Sequence, residues 1–90
     1  MAADRLRRAP ESLFRIVGDD LYLTGPRRPS FDVLTGSATA IWRALQDAPT
    51  FDELVGALAG EHGTQPRAIE AEVGRFVDEL RDRGWVVVAP

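Results

Sequence analysis

The stretch Leu34-Thr35-Gly36-Ser37-Ala38-Thr39-Ala40-Ile41-Trp42 constrains the fold more than any other part of the chain. Before it lie short pieces in which apolar residues alternate, the period of two that strands require. After it lie three segments with apolar residues at helical spacing. Ala38, Ile41, Trp42 and Leu45 fall at i, i+3, i+4 and i+7. Thr35 stands just before them, where its hydroxyl can cap an N–H of the first turn. The chain changes period once, from strands to helices. That order predicts an α+β fold, a three-stranded antiparallel sheet followed by three helices.

Taken in order, residues 1–10 show no usable period and read as a flexible N-terminal arm ahead of a domain over 11–90. Strand one is Ser12 to Val17, with Phe14 and Ile16 on one face and Leu13, Arg15 and Val17 on the other. Gly18-Asp19 is a compact turn into strand two, Asp20 to Thr24, which sets Leu21 and Leu23 on one side. Pro26 and Pro29 make the next stretch a loop, with Arg27 and Arg28 at its tip. Strand three is Ser30 to Leu34; Phe31 and Val33 share one face and Asp32 and Leu34 the other. The first pair reads as core. Helix one runs from Gly36 to Asp47 and stops at Ala48-Pro49. Thr50-Phe51-Asp52-Glu53 is a capping box that opens helix two; His62-Gly63 closes it. Pro66 suits the first position of helix three. The stripe of that helix is Ile69, Val73, Phe76, Val77 and Leu80, and Gly84 fits its C-terminal cap. Trp85 to Val88 either packs back on the helices or pairs as a fourth strand.

Ninety residues make one small domain with a single core. The net charge of −3 and pI near 5 lack the clustered positive charge of a nucleic-acid footprint. No apolar run approaches the roughly 20 residues that span a bilayer. Arg5, Arg7 and Arg8 are not followed by an apolar segment, so no signal peptide is expected and the default location is cytoplasmic. With no Cys and a single His, His62, the chain offers neither a thiolate site nor a closed zinc site, and no nucleophile–base pair is evident. The expectation is therefore no catalytic residue, no metal and no cofactor. Gly36-Ser37 at a helix start lacks the lysine of a nucleotide loop.

The succession of strands, central helix-turn-helix and third helix is winged-helix-like. More specifically, the chain resembles the PqqD-like family, the precursor peptide recognition elements of ribosomal peptide (RiPP) biosynthesis. Leu34-Thr35, Ser37-Ala38 and Ile41-Trp42 match a family pattern of Leu-Asn, two small residues and Ile-Trp. Thr50 to Leu54 matches the opening of the family's second helix. His62-Gly63-Thr64-Gln65-Pro66 matches its Tyr-Gly-x-x-Pro turn, and Phe76, Leu80 and Gly84 match its closing pattern. Thr35 replaces the usual Asn and His62 the usual aromatic.

The resemblance implies a stand-alone recognition domain that binds without catalysis. The leader of a precursor peptide would add as a strand beside strand three, in the cleft before helix three, and be presented to a maturation enzyme: a leader peptidase, cyclase or radical enzyme. Lasso peptides are among the compatible products. Phe31 and Val33, or Asp32 and Leu34, would line the strand side. On helix three, with Phe76 as floor, the flank at Ala68, Glu72, Arg75, Glu79 and Arg83 is preferred over that at Glu70, Val77 and Arg81. Neither nucleic acid nor membrane is expected as a partner; an open strand edge allows a homodimer. The alternatives are a winged-helix DNA-binding module with helix three as reader, and a structural subunit of a maturation enzyme. The first is disfavoured by the acids Glu70, Glu72, Asp78, Glu79 and Asp82, which outnumber Arg67, Arg75, Arg81 and Arg83 on that helix.

Overall fold

A computed structural model of the chain describes residues 4–26 and 31–89. The elements are β1 (Arg5–Arg8), β2 (Leu13–Val17), β3 (Asp20–Thr24), β4 (Asp32–Thr35), α1 (Ser37–Ala44), α2 (Phe51–His62), α3 (Pro66–Asp82) and β5 (Val86–Ala89). The three-stranded antiparallel sheet has the order β2-β3-β4, followed by the three helices, as the change of period predicts. Gly18 takes a φ of 61° in the tight turn between β2 and β3. That left-handed value costs glycine nothing sterically. The register opposes Phe14 to Leu23, Ile16 to Leu21, Leu21 to Leu34 and Leu23 to Asp32. Directly opposed residues share a face, so these six form the face turned toward the helices. Leu21 and Leu23 are fully buried there, against Ile41, Trp42, Leu45, Leu54, Val77 and Leu80.

The flexible-arm reading of residues 1–10 is corrected over Arg5–Arg8; residues 1–3 lie outside the described residues. Arg5–Arg8 forms β1, antiparallel to β5, with Leu6 opposite Val88 and Arg8 opposite Val86. Leu6 is only 6% exposed. Its N–H donates to the Pro49 carbonyl at 2.8 Å, and the Ala9 N–H donates to that of Trp85 at 2.8 Å. Arg8 lies half-buried over the rings of Phe14 and Trp42, 4.7 and 4.9 Å from their centroids. Its Nη2 and Nε donate to the Trp42 carbonyl at 2.6 and 3.1 Å. Burial lowers its pKa, with Asp47 opposing the shift. The tail after Trp85 is thus a strand, but one that pairs with β1 in a second sheet and not with the first.

Thr35 does not cap α1. It is the last residue of β4, and the N-cap is Gly36, at φ 63° and ψ −122° with no side-chain cap. The turn is held instead by Asp19, whose carbonyl accepts from the Gly36 N–H at 3.3 Å and from the buried Thr39 hydroxyl at 2.7 Å. Helix one also ends earlier than its apolar stripe suggests: α1 stops at Ala44 and a 3-10 turn covers Leu45–Asp47. Ala48 then takes a left-handed φ of 51° before Pro49.

The capping box of α2 is present. The Thr50 hydroxyl accepts from the Glu53 N–H at 3.2 Å, and the Glu53 carboxylate accepts from the Thr50 N–H at 2.9 Å. The Thr50 backbone N–H holds the Glu53 carboxyl below its ordinary pKa. Thr50→Ala is expected to cost about 1 kcal/mol, read as a lower urea midpoint at an unchanged slope. At the other end Gly63, at φ 66°, closes α2, and the Thr64 N–H returns to the Ala59 carbonyl at 2.9 Å.

A cleft between an open strand edge and the third helix

In the order β2-β3-β4, β4 is an edge strand, and among the described residues nothing pairs with its outer side. Its backbone N–H and C=O groups there form a template for another strand. Asp32 and Leu34 are half-buried and turn toward the helices; Val33 is exposed on the opposite face. Phe31, just before the strand, is 60% exposed with its ring 6.1 Å from that of Tyr22. The reading of Phe31 and Val33 as core is therefore corrected. The period of two links them rightly, but Leu21 and Leu23 already fill the inner face, and β4's contribution to that face is Asp32 and Leu34.

A buried-side carboxylate needs partners, and Asp32 has them. Trp85 Nε1–H donates to its Oδ2 at 2.7 Å, and Arg83 Nη1 lies 3.7 Å from its Oδ1. Arg83 Nη2 also donates to Glu79 Oε1 at 2.9 Å, the i, i+4 pair expected of helix three. The flank of α3 bearing Glu79 and Arg83 thus borders β4. The other flank meets α2, where the Phe51 ring would stand 3.5 Å from a Cβ placed on Gly74.

On the same flank of α3 as Glu79 and Arg83, but nearer its start, a groove of about 210 Å³ lies between α1, α2 and α3. Ala40, Ile41, Ile69, Val73 and Phe76 give it an apolar floor, and Ser37, His62 and Glu72 a polar rim. The structure brings Asp32, Glu79 and Arg83 together in one ion-pair cluster, and sets Glu72 and Phe76 in the groove. Ala68 and Arg75 are exposed on α3 and, at helical spacing, lie beyond Glu72 on the outward side. Arg27 and Arg28 lie outside the described residues. Several contributors were not singled out from the sequence as site residues, among them Ser37, Ala40, Ile41, His62, Ile69, Val73 and Trp85. Ile69 is the first residue of the helix-three stripe, and Ala40 is a small residue that leaves room between helices. Nothing local announces the indole of Trp85 reaching 53 residues back to Asp32.

The sequence profile of coenzyme PQQ synthesis protein D (PqqD) matches residues 23–86. The chain belongs to the PqqD family. The match takes in β4, all three helices and the start of β5, so both walls of the cleft are within it. Among solved structures, this PqqD-family fold is similar to "TbiB1 in Complex with the TbiA(beta) Leader Peptide". The TM-score is 0.77 at 16% identity, over 89% of this chain and 93% of that one. At that identity the likeness concerns the fold. No curated protein matches the chain. No helix among the described residues is long and apolar enough to cross a membrane.

Proposed function

We propose that this PqqD-family chain binds the leader segment of a ribosomally made precursor peptide and presents it to a maturation enzyme, acting by recognition alone. The observation that carries the reading is the open edge of β4, tied to α3 through Asp32 and Arg83, with an apolar groove on the same flank of that helix. A peptide added there gains main-chain hydrogen bonds whatever its sequence, while its alternate side chains enter pockets that select it. Asp32 and Leu34 would meet it from the strand, and Glu72, Phe76, Glu79 and Arg83 from the helix. Ala68 and Arg75 form the outer rim. Phe31 and Val33 would touch only those peptide side chains that turn to the far face. Support comes from the family and from a similar fold solved with a leader peptide bound.

The test is a titration of fluorescein-labelled leaders, taken from short reading frames beside the gene, against the purified chain. Saturable micromolar binding of one leader, absent for its scrambled sequence, is the expected result. Failure of every leader to bind would overturn the reading.

A further inference from the structure

The backbone of β4 decides which side chains of an added strand turn away from the cleft. Asp20 is opposite Thr35 in the ladder between β3 and β4. One step further on, the Gly36 N–H donates to the Asp19 carbonyl at 3.3 Å. Hydrogen-bonded and non-hydrogen-bonded pairs alternate along an antiparallel ladder. Leu21–Leu34 and Leu23–Asp32 are therefore the bonded pairs, and Asp20–Thr35 and Tyr22–Val33 the others. Asp32 and Leu34 direct their N–H and C=O groups at β3, and Val33 directs its own at the open edge. A strand added to β4 thus bonds to Val33. The residue it sets beside Val33 shares the face of Val33, turned away from the helices. Its two neighbours in the added strand turn toward α3.

That outer face is apolar next to the edge. Val33 is 44% exposed and Phe31 60%, with the Phe31 ring 6.1 Å from that of the part-exposed Tyr22. The face carries one charge of each sign, but Arg15 stands in β2 and Asp20 in β3, so neither is on the edge strand. We infer that the bound leader is read on both faces, and that the residue it sets beside Val33 is a large apolar one, β-branched or aromatic, packing on Val33 and Phe31. Neighbouring strands lie about 4.8 Å apart, so a side chain beside Val33 covers it. A large one also reaches the Phe31 ring, two residues along on the same face. Covering both removes apolar surface from water, a gain that a polar side chain at that position forgoes. This recognition position lies outside the cleft and rests on the leader reading of the cleft. It makes Phe31 and Val33 selective for one leader residue, while Asp32 and Leu34 border the two on either side of it.

The probe is the fluorescein-labelled leader that saturates the chain in the titration above, made with each residue in turn replaced by serine. Each version is titrated against the unchanged chain and against Phe31→Ser, a substitution at an exposed position that spares the core. The expected result is one apolar leader residue whose replacement weakens binding about fivefold against the unchanged chain and less than about twofold against Phe31→Ser. Phe31→Ser should itself weaken the unsubstituted leader by about fivefold, and Phe31→Leu should restore most of the affinity. Replacing either neighbour of the coupled leader residue should cost the same against both chains, which shows that the cleft of Phe31→Ser is intact. Unchanged affinity of the unsubstituted leader for Phe31→Ser would overturn the inference and leave the leader reading standing. So would a loss on Phe31→Ser to which no single leader position is coupled, the mark of a distorted β4. Failure of every leader to bind the unchanged chain would remove the leader reading and this inference together.

Discussion

Leu6→Ala is expected to destabilise the chain by about 2–5 kcal/mol, the range for removing a buried leucine side chain and leaving a cavity. Leu6 is one of the buried core residues, in the middle of β1, packed with Trp85 and Val86. Small domains hold roughly 5–15 kcal/mol in total, so one truncation in the first ten residues removes a large share. The measurement is urea unfolding followed by tryptophan fluorescence, with Trp42 and Trp85 both buried as reporters. The midpoint should fall with the slope unchanged. Arg7→Ala is the control: Arg7 is exposed on the same strand and should change stability by no more than about 0.5 kcal/mol. Were the segment a loose arm, the two variants would behave alike. Equal, negligible effects would therefore refute the packing of β1.

That contrast shows where the sequence was readable and where it was not. The period of two sorted β2 and β3 onto their faces correctly, because Phe14, Ile16, Leu21 and Leu23 supply enough apolar residues to define a side. It failed for β1, where Arg5-Leu6-Arg7-Arg8 contains a single apolar residue. The partner that makes it a strand, β5, stands at the other end of the chain, and no local pattern encodes so distant a pairing. The capping box at Thr50 and Glu53 and the Glu79–Arg83 pair were legible because all their atoms lie within one turn of each other. Thr35 carried an equally good capping signal, yet pairing with Asp20 keeps it in β4. The cap position passes to Gly36, with a φ of 63° that glycine adopts freely.

For the cleft, the sequence named both walls but could not orient them. Alternation joined Phe31 to Val33 and Asp32 to Leu34. Which pair turns inward depends on the register with β3 and on a donor for Asp32, the Trp85 indole, that comes from beyond the last helix. Hydrophobicity alone favoured burying Phe31 and Val33, and that preference was overridden. The same override leaves an apolar outer face on the sheet, a surface no sequence pattern distinguished from core.

The sharpest test of strand addition uses the peptide and not the domain. Along an extended strand, alternate residues direct their N–H and C=O groups to the same edge. A leader lying beside the four residues of β4 would therefore donate to it only from every second position. Proline lacks the N–H and is tolerated in sheets only where no ladder bond is made. Two prolines at the donating positions should remove two hydrogen bonds, each worth about 1–1.5 kcal/mol. Affinity would drop by about a hundredfold. The same two prolines moved by one residue should leave affinity within about threefold, since the N–H groups they remove then point away from β4. Fluorescence polarisation of the two doubly substituted leaders against the unchanged chain reads the difference directly. A helical leader laid in the groove between α1 and α3 would lose binding in both registers, because proline in a helix interior breaks it wherever it falls. Loss in one register and survival in the other is the signature that a helix cannot give. Equal losses would remove β4's edge from the mechanism and leave the groove at Ala40, Ile69 and Phe76 as the part that binds.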